Sequence, residues 1–126
     1  MKFGYTILYV KDVEKAVAFY ESAFGLKRKF VHESGYGEMD TGDTKLAFAS
    51  LDLATSNGVP VVPPNPEGPP PAVEVAFVTE DVAAAFAVAV QAGAVPVAPP
   101  KQKPWGQVVA YARDLNGFLV EICSPM

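Results

Sequence analysis

The sequence predicts an α+β fold built from two tandem βαβββ modules. Three observations predict it: one strand, acidic cap and helix pattern occurs twice; short strands separated by turn residues follow each helix; a proline-rich connector lies between the copies. Tyr5-Thr6-Ile7-Leu8-Tyr9-Val10-Lys11-Asp12-Val13 opens the first half, and Glu74-Val75-Ala76-Phe77-Val78-Thr79-Glu80-Asp81-Val82 opens the second. Tyr5 to Glu74 and Asp12 to Asp81 are equal intervals, so the two copies are in register.

Residues 3–10 are nearly all apolar, aromatic or β-branched, which predicts a strand covered on both faces. Asp12 ends it and caps a helix, because its carboxylate accepts from free amides of the first turn. Val13, Ala16, Val17, Tyr20 and Phe24 then follow at helical spacing, and Gly25 closes the segment. Strands are expected over residues 27–32, 36–40 and 45–51, divided by Ser34-Gly35 and Thr41-Gly42-Asp43. The prolines of residues 59–72 cannot donate ladder hydrogen bonds and favour extended backbone, so this stretch reads as a connector.

The second copy repeats the design. Asp81 is the cap, Val82, Ala85, Phe86 and Ala89 form the stripe, and Gly93 is the stop. Strands are expected over residues 95–98, 107–113 and 118–123, with Pro99-Pro100 and Asn116-Gly117 as breaks. Asn-Gly predicts a tight primed hairpin turn, since both residues tolerate positive φ. The chain is therefore read as one domain: module one over residues 1–58, connector 59–72, module two 73–126. Phe19, Tyr20, Phe24, Phe48, Phe77, Phe86 and Phe118 are expected between sheet and helix as core.

At 126 residues, half of them apolar, the chain can bury one hydrophobic core. A formal net charge of −4 with scattered Lys and Arg gives no basic footprint for nucleic acid and favours cationic ligands. The single cysteine, Cys123, rules out an intramolecular disulfide scaffold and reads as a packed small residue in an apolar run. Residues 1–5 lead directly into a strand without a charged start or a long apolar stretch, so a cytoplasmic protein without membrane contact is expected.

The opening strand with Asp12-Val13, the helix bearing Phe19-Tyr20 and ending Gly25-Leu26, the second opening strand, Pro104-Trp105-Gly106-Gln107, and the ending Asp114-Leu115-Asn116-Gly117-Phe118-Leu119-Val120-Glu121-Ile122 together resemble the vicinal oxygen chelate superfamily. This is the glyoxalase, bleomycin-resistance and extradiol-dioxygenase family, and the likeness covers almost the whole chain. It implies that the first and last strands of each module curl into a half-open barrel whose cleft presents one residue per strand toward a divalent metal. It also implies a homodimer, with module one of one chain facing module two of its partner in many relatives.

Carried over position by position, the four metal-ligand sites of a glyoxalase I-like relative fall on Tyr5, Ala47, Glu74 and Glu121. The spacing agrees: Asp40 stands as far before Ala47 as Asp114 does before Glu121. Ala47 has no donor atom and a neutral phenol is a poor ligand for zinc, nickel or magnesium, so no cofactor and no complete metal site are expected. Glu74 and Glu121 are the metal-binding candidates if a hard cation is held weakly among waters. They are also the catalytic candidates.

Three readings of the two acids stand side by side. They are solvated, or paired with Arg113, Lys45 or Lys101. They recognise a planar or amphipathic cation beside Tyr5, Tyr9, Trp105 and Tyr111 by charge and cation–π contact. One of them is a general base, its pKa raised by an apolar surrounding and a like-charged neighbour. Alternation adds Ile7 to the face of Tyr5 and Tyr9, and Gln107 is read as a ligand hydrogen-bonder or a strand end. The lone His32 falls on a middle strand outside these positions and reads as structural or solvent-facing. The functional expectation is a small-molecule-binding protein of the bleomycin-resistance kind, sequestering an organic ligand, a cationic aromatic one among the candidates. A glyoxalase-like lyase or isomerase, or a dioxygenase, is the alternative.

Overall fold

A computed structural model describes residues 1–33 and 35–126. Two compact units divide the chain, Met1–Pro64 and Asn65–Met126. The first contains β1 (Tyr5–Val10), α1 (Val13–Phe24), β2 (Lys27–His32), β3 (Tyr36–Asp40), β4 (Lys45–Ser50) and α2 (Leu51–Ser56). The second contains β5 (Glu74–Val78), α3 (Val82–Gln91), β6 (Val95–Gln102), β7 (Val108–Arg113) and β8 (Leu119–Cys123). Each unit holds one four-stranded sheet, ordered β1-β4-β3-β2 and β5-β8-β7-β6, with the first and last strands parallel and central contact made by the last strand. Both units are βαβββ modules, as the duplicated pattern predicts.

The caps explain why the helices start where they do. Asp12 accepts from Lys15 N at 3.0 Å and Asp81 accepts from Ala84 N at 3.0 Å, each satisfying an otherwise orphaned first-turn amide. Gly25 ends α1 in the left-handed region at φ 67, returning its N–H to Glu21 and Tyr20 carbonyls. Val13, Ala16, Val17 and Tyr20 of α1 are buried against the sheet, and Gly37 of β3 leaves room for them: a Cβ there would lie 2.8 Å from Val17.

Several expectations are corrected. The first strand begins at Tyr5 and is covered on one face only: Leu8 and Val10 are buried, whereas Tyr5 and Ile7 are exposed. Leu51, expected in β4, opens α2, where Ser50 caps by accepting from Leu53 N at 3.1 Å. Pro99-Pro100 do not break β6. This is an edge strand whose register shifts between Pro96 and Ala98 and again between Ala98 and Lys101, so prolines without N–H donors are tolerated. The Asn116-Gly117 turn is not primed. Among the described residues Glu33 is the only non-glycine with positive φ, so Asn116 keeps negative φ, and Gly117 alone turns left-handed at φ 90. Gly117 N bonds Asp114 O at 3.1 Å and the Asp114 side chain accepts from Asn116 N and Phe118 N, a type I turn followed by a glycine. Ser34, the expected turn residue, lies outside the described residues, while Gly35 N closes back on His32 O at 3.0 Å.

Phe19, Tyr20, Phe48 and Phe118 are buried, and Phe24, Phe77 and Phe86 are half-buried. The connector has no regular element. Its C-terminal part is fixed within the second unit by Arg113, whose guanidinium donates to the carbonyls of Asn65, Pro66, Gly68 and Gly117.

Candidate functional site

Strand pairing decides which side chains of the second module share a face. Ala76, Glu121 and Tyr111 are register partners across β5, β8 and β7; so are Glu74, Leu119 and Arg113, and Val78, Cys123 and Val109. The opposite face carries Ala110, Ala112, Val120 and Ile122, all buried under α3. The Glu121 face is open at its β5 side: Val78 is 65% exposed, Glu74 and Ala76 are exposed, and Glu121 and Tyr111 are half-buried.

On this face the two acids meet. The Glu74 carboxyl is pushed above its ordinary value, first by partial desolvation, then by a hydrogen bond to Glu121 and by the Glu121 charge. The two carboxyls thus face each other as like charges, and Glu74 takes up a proton more readily than a free glutamate does. Tyr111 Oη donates to Glu121 Oε2 at 3.1 Å, and both the Tyr111 phenol and the Cys123 thiol are raised by burial first and then by bonding to Glu121. Cys123 is packed and also lies 3.7 Å from Phe77 O. The result is a carboxyl pair, Glu74 and Glu121, flanked by the Tyr111 hydroxyl and the Cys123 thiol.

Among the described residues no salt bridge reaches this pair. Among the described residues the salt bridges join Arg28 to Glu14 and Glu21, and Lys29 to Glu38, all in the first unit. The expected pairing with Arg113, Lys45 or Lys101 is not formed: Arg113 serves the four carbonyls described above, Lys45 Nζ bonds Gly42 O, and Lys101 is an exposed residue of the edge strand. The geometric reason for Arg113 is its position opposite Leu119, at the turn end of the sheet, where carbonyls of residues 65–68 converge.

The first module has a counterpart with different chemistry. Tyr5 faces Lys45, Ile7 faces Ala47, which also pairs with Glu38, and Tyr9 faces Ala49, which also pairs with Tyr36. Tyr5 and Glu74 thus stand at equivalent register positions, as do Ala47 and Glu121. Ala47 is fully buried. Glu38 was not among the sequence candidates, yet it is 5% exposed, lies 3.2 Å from Lys29 Nζ and accepts from Tyr36 Oη at 3.0 Å. Burial and this bond push the Tyr36 phenol up to about 12. The signal was available: Tyr36 and Glu38 alternate on a strand directly before the turn, and the Asp40 to Ala47 spacing puts Glu38 opposite Ala47.

Trp105 projects from a turn closed by Lys103 N to Gln107 O and Gly106 N to Lys103 O, both 2.8 Å, with Gly106 at φ 95. Its indole is 64% exposed, and Nε1 donates to Gln107 Oε1 at 3.0 Å. Gln107 Nε2 donates in turn to Ser124 O at 2.9 Å. Gln107 thus has both ends engaged inside the protein. His32 is exposed on β2 of the first unit.

The donor set does not fit a four-ligand divalent centre. Each module offers two equivalent positions: a phenol and a methyl in the first, and in the second two carboxyls, of which Glu74 is pushed above its ordinary pKa. Among the described residues no group of three or more His, Cys, Asp or Glu side chains could hold a metal ion.

The model of the Glyoxalase/Bleomycin resistance protein/Dioxygenase superfamily matches residues 2–122. The chain belongs to this superfamily. Solved structures agree on the glyoxalase-like fold. A glyoxalase-related enzyme from Fulvimarina pelagi superposes with TM-score 0.84 at 22% identity, covering 99% of this chain and 88% of the other. A glyoxalase/bleomycin resistance protein/dioxygenase family enzyme from Burkholderia phytofirmans PsJN gives 0.83 at 17% identity with both chains fully covered (100% each). TioX from Micromonospora sp. ML1 gives 0.73 at 24% identity, again covering 100% of each. No curated protein matches the chain significantly. The superfamily hosts both binding proteins and enzymes on one fold, so the activity has to be argued from the site.

Proposed function

We propose that this superfamily member binds a small organic cation bearing a planar aromatic group on the open face of its second module, and sequesters it without a complete metal centre. One observation carries the reading: a carboxyl pair, Glu74 and Glu121, sits beside a tyrosine ring with no salt-bridge partner among the described residues. The acid of the first module that accepts from a tyrosine, Glu38, has its lysine. A bound cation supplies the counter-charge the second pair lacks, and Tyr111 and Trp105 supply ring faces. Along β7 and its approach, Tyr111 and Gln107 are four residues apart, about 13 Å at roughly 3.3 Å per residue, which suits a ligand with charge at one end and a ring at the other.

Titration with N-methylacridinium, a planar cation of fixed charge, against neutral acridine at pH 7.5 or above tests this (pH about 7.5 keeps acridine, an ordinary weak base, uncharged). The cation is expected to bind more tightly, and Glu121→Gln to weaken it by about tenfold, the scale of one charge-assisted contact. Equal affinity for the two compounds in the wild type contradicts the proposal.

A second reading has its own support: a carboxyl with its pKa raised beside another carboxyl is an arrangement a general acid–base pair uses. It predicts chemical conversion of a bound ligand, visible by mass spectrometry and lost in Glu74→Gln. The proposal also includes a cytoplasmic homodimer, and the exposed Phe3, Tyr5 and Ile7 support the dimer. Among the described residues no helix is long and apolar enough to cross a membrane. Light scattering at twice the chain mass checks the dimer.

A further inference from the structure

We infer that Gln107 is a positioning residue: it fixes the orientation of the Trp105 indole by tying it to the end of β8. The relay is continuous. Trp105 Nε1 donates to Gln107 Oε1 at 3.0 Å, and Gln107 Nε2 donates to Ser124 O at 2.9 Å. At this last rung of the β7–β8 ladder the side chains complete what the backbone leaves open: Val108 N donates to Ser124 Oγ at 2.9 Å, Ser124 N donates to Val108 O at 2.9 Å, and the glutamine amide takes the Ser124 carbonyl.

The consequences follow from hydrogen-bond capacity. An indole has one polar atom, a donor, and in an exposed residue water ordinarily serves it. Here it is bonded within the protein while the ring stays 64% exposed, so both side-chain torsions are fixed and only π surface is offered outward. Gln107 has its oxygen bonded to the indole and its nitrogen to a carbonyl, which fixes the plane of the amide and commits one of its two N–H donors and one acceptor position inside the protein. The anchor point, Ser124, lies three residues beyond Glu121 on the same chain segment. The relay therefore couples the placement of the ring to the strand that carries the carboxylate, and ordering the ring before binding lowers the entropy lost on binding. The effect on affinity rests on the ligand reading above; the anchoring of the ring does not.

Trp105 is the sole tryptophan of the chain, so its fluorescence anisotropy and its indole N–H resonance report on this residue alone. Gln107→Ala removes both bonds, whereas Gln107→Glu keeps an acceptor for the indole and loses the donor to Ser124 O. Expected for Gln107→Ala are faster indole N–H exchange, lower anisotropy, and N-methylacridinium affinity reduced about fivefold to tenfold, the equivalent of one to two lost hydrogen bonds. Expected for Gln107→Glu, which keeps the indole's acceptor but loses the tie to Ser124 O, is a still-protected indole N–H with anisotropy lowered as in Gln107→Ala. Wild-type exchange and anisotropy in Gln107→Ala overturn the inference, as does wild-type anisotropy in Gln107→Glu. If wild type fails to bind N-methylacridinium, the ligand reading falls, and the indole signals alone decide the role of Gln107.

Discussion

At the scale of single residues, the molecule differs from its own repeat in how it treats buried acid. Glu38 and Glu121 sit in neighbouring positions of equivalent sheets and each accepts from a tyrosine hydroxyl, at 3.0 and 3.1 Å. Lys29 completes the first; Glu74, an acid, stands beside the second. Glu74 must keep its proton or face a like charge, and stability responds to pH accordingly. Its folded pKa lies above the unfolded value, so the folded state binds the proton more tightly. Stability contributed by that proton is present below the ordinary glutamate value and is lost as pH rises through the raised folded value. Glu74→Gln removes this dependence. Urea melts at acid and neutral pH are expected to show the variant gaining on wild type as pH rises through that window, and a constant difference contradicts the raised Glu74 pKa. Tyr111→Phe removes one donor to Glu121 and is expected to cost about 1 kcal/mol in the same melts.

At the scale of elements, the turn between β7 and β8 ties the connector to the second module. Gly117 is left-handed at φ 90, and a Cβ there meets Arg113 Nη2 at 2.5 Å and Pro66 Cα at 2.8 Å. Gly117→Ala is therefore expected to destabilise the chain by about 1–3 kcal/mol, through backbone strain and displacement of the Arg113 clamp. Thermal unfolding checks it; an unchanged melting temperature excludes the strain. Much of this level was legible in the sequence. Asp12 and Asp81 announce both helices because capping is a local interaction, and equal spacing announces the duplication. What was not legible depends on neighbours. Nothing local to Pro99-Pro100 says that β6 is an edge strand, where missing donors are harmless. The role of Arg113 depends on carbonyls from residues 65–68, distant in sequence, and Glu38 is recognised only once β3 is paired with β4. Glu74, Glu121, Tyr111, Trp105 and Gln107 were all picked out by alternation or motif, but that Gln107 serves Trp105 is a matter of side-chain torsions that no periodicity encodes.

At the scale of the whole molecule, duplication supplied two copies of one sheet and divergence gave them unequal faces. The first module has a phenol and a methyl at the register positions where the second has two acids, and it neutralises its own glutamate. In a chain of net charge −4, the pair is a place where a cation would meet carboxyls that have no salt-bridge partner among the described residues. The account predicts that ligand binding and proton release occur together there. Carboxyl carbon NMR of Glu74 and Glu121, followed through a pH titration with and without N-methylacridinium, tests this most directly. The predicted result is two separated titrations in the free protein, with Glu74 above the ordinary glutamate range, and a downward shift of Glu74 when the cation is added. Both carboxyls titrating like free glutamate, with neither moved by the cation, contradicts the account.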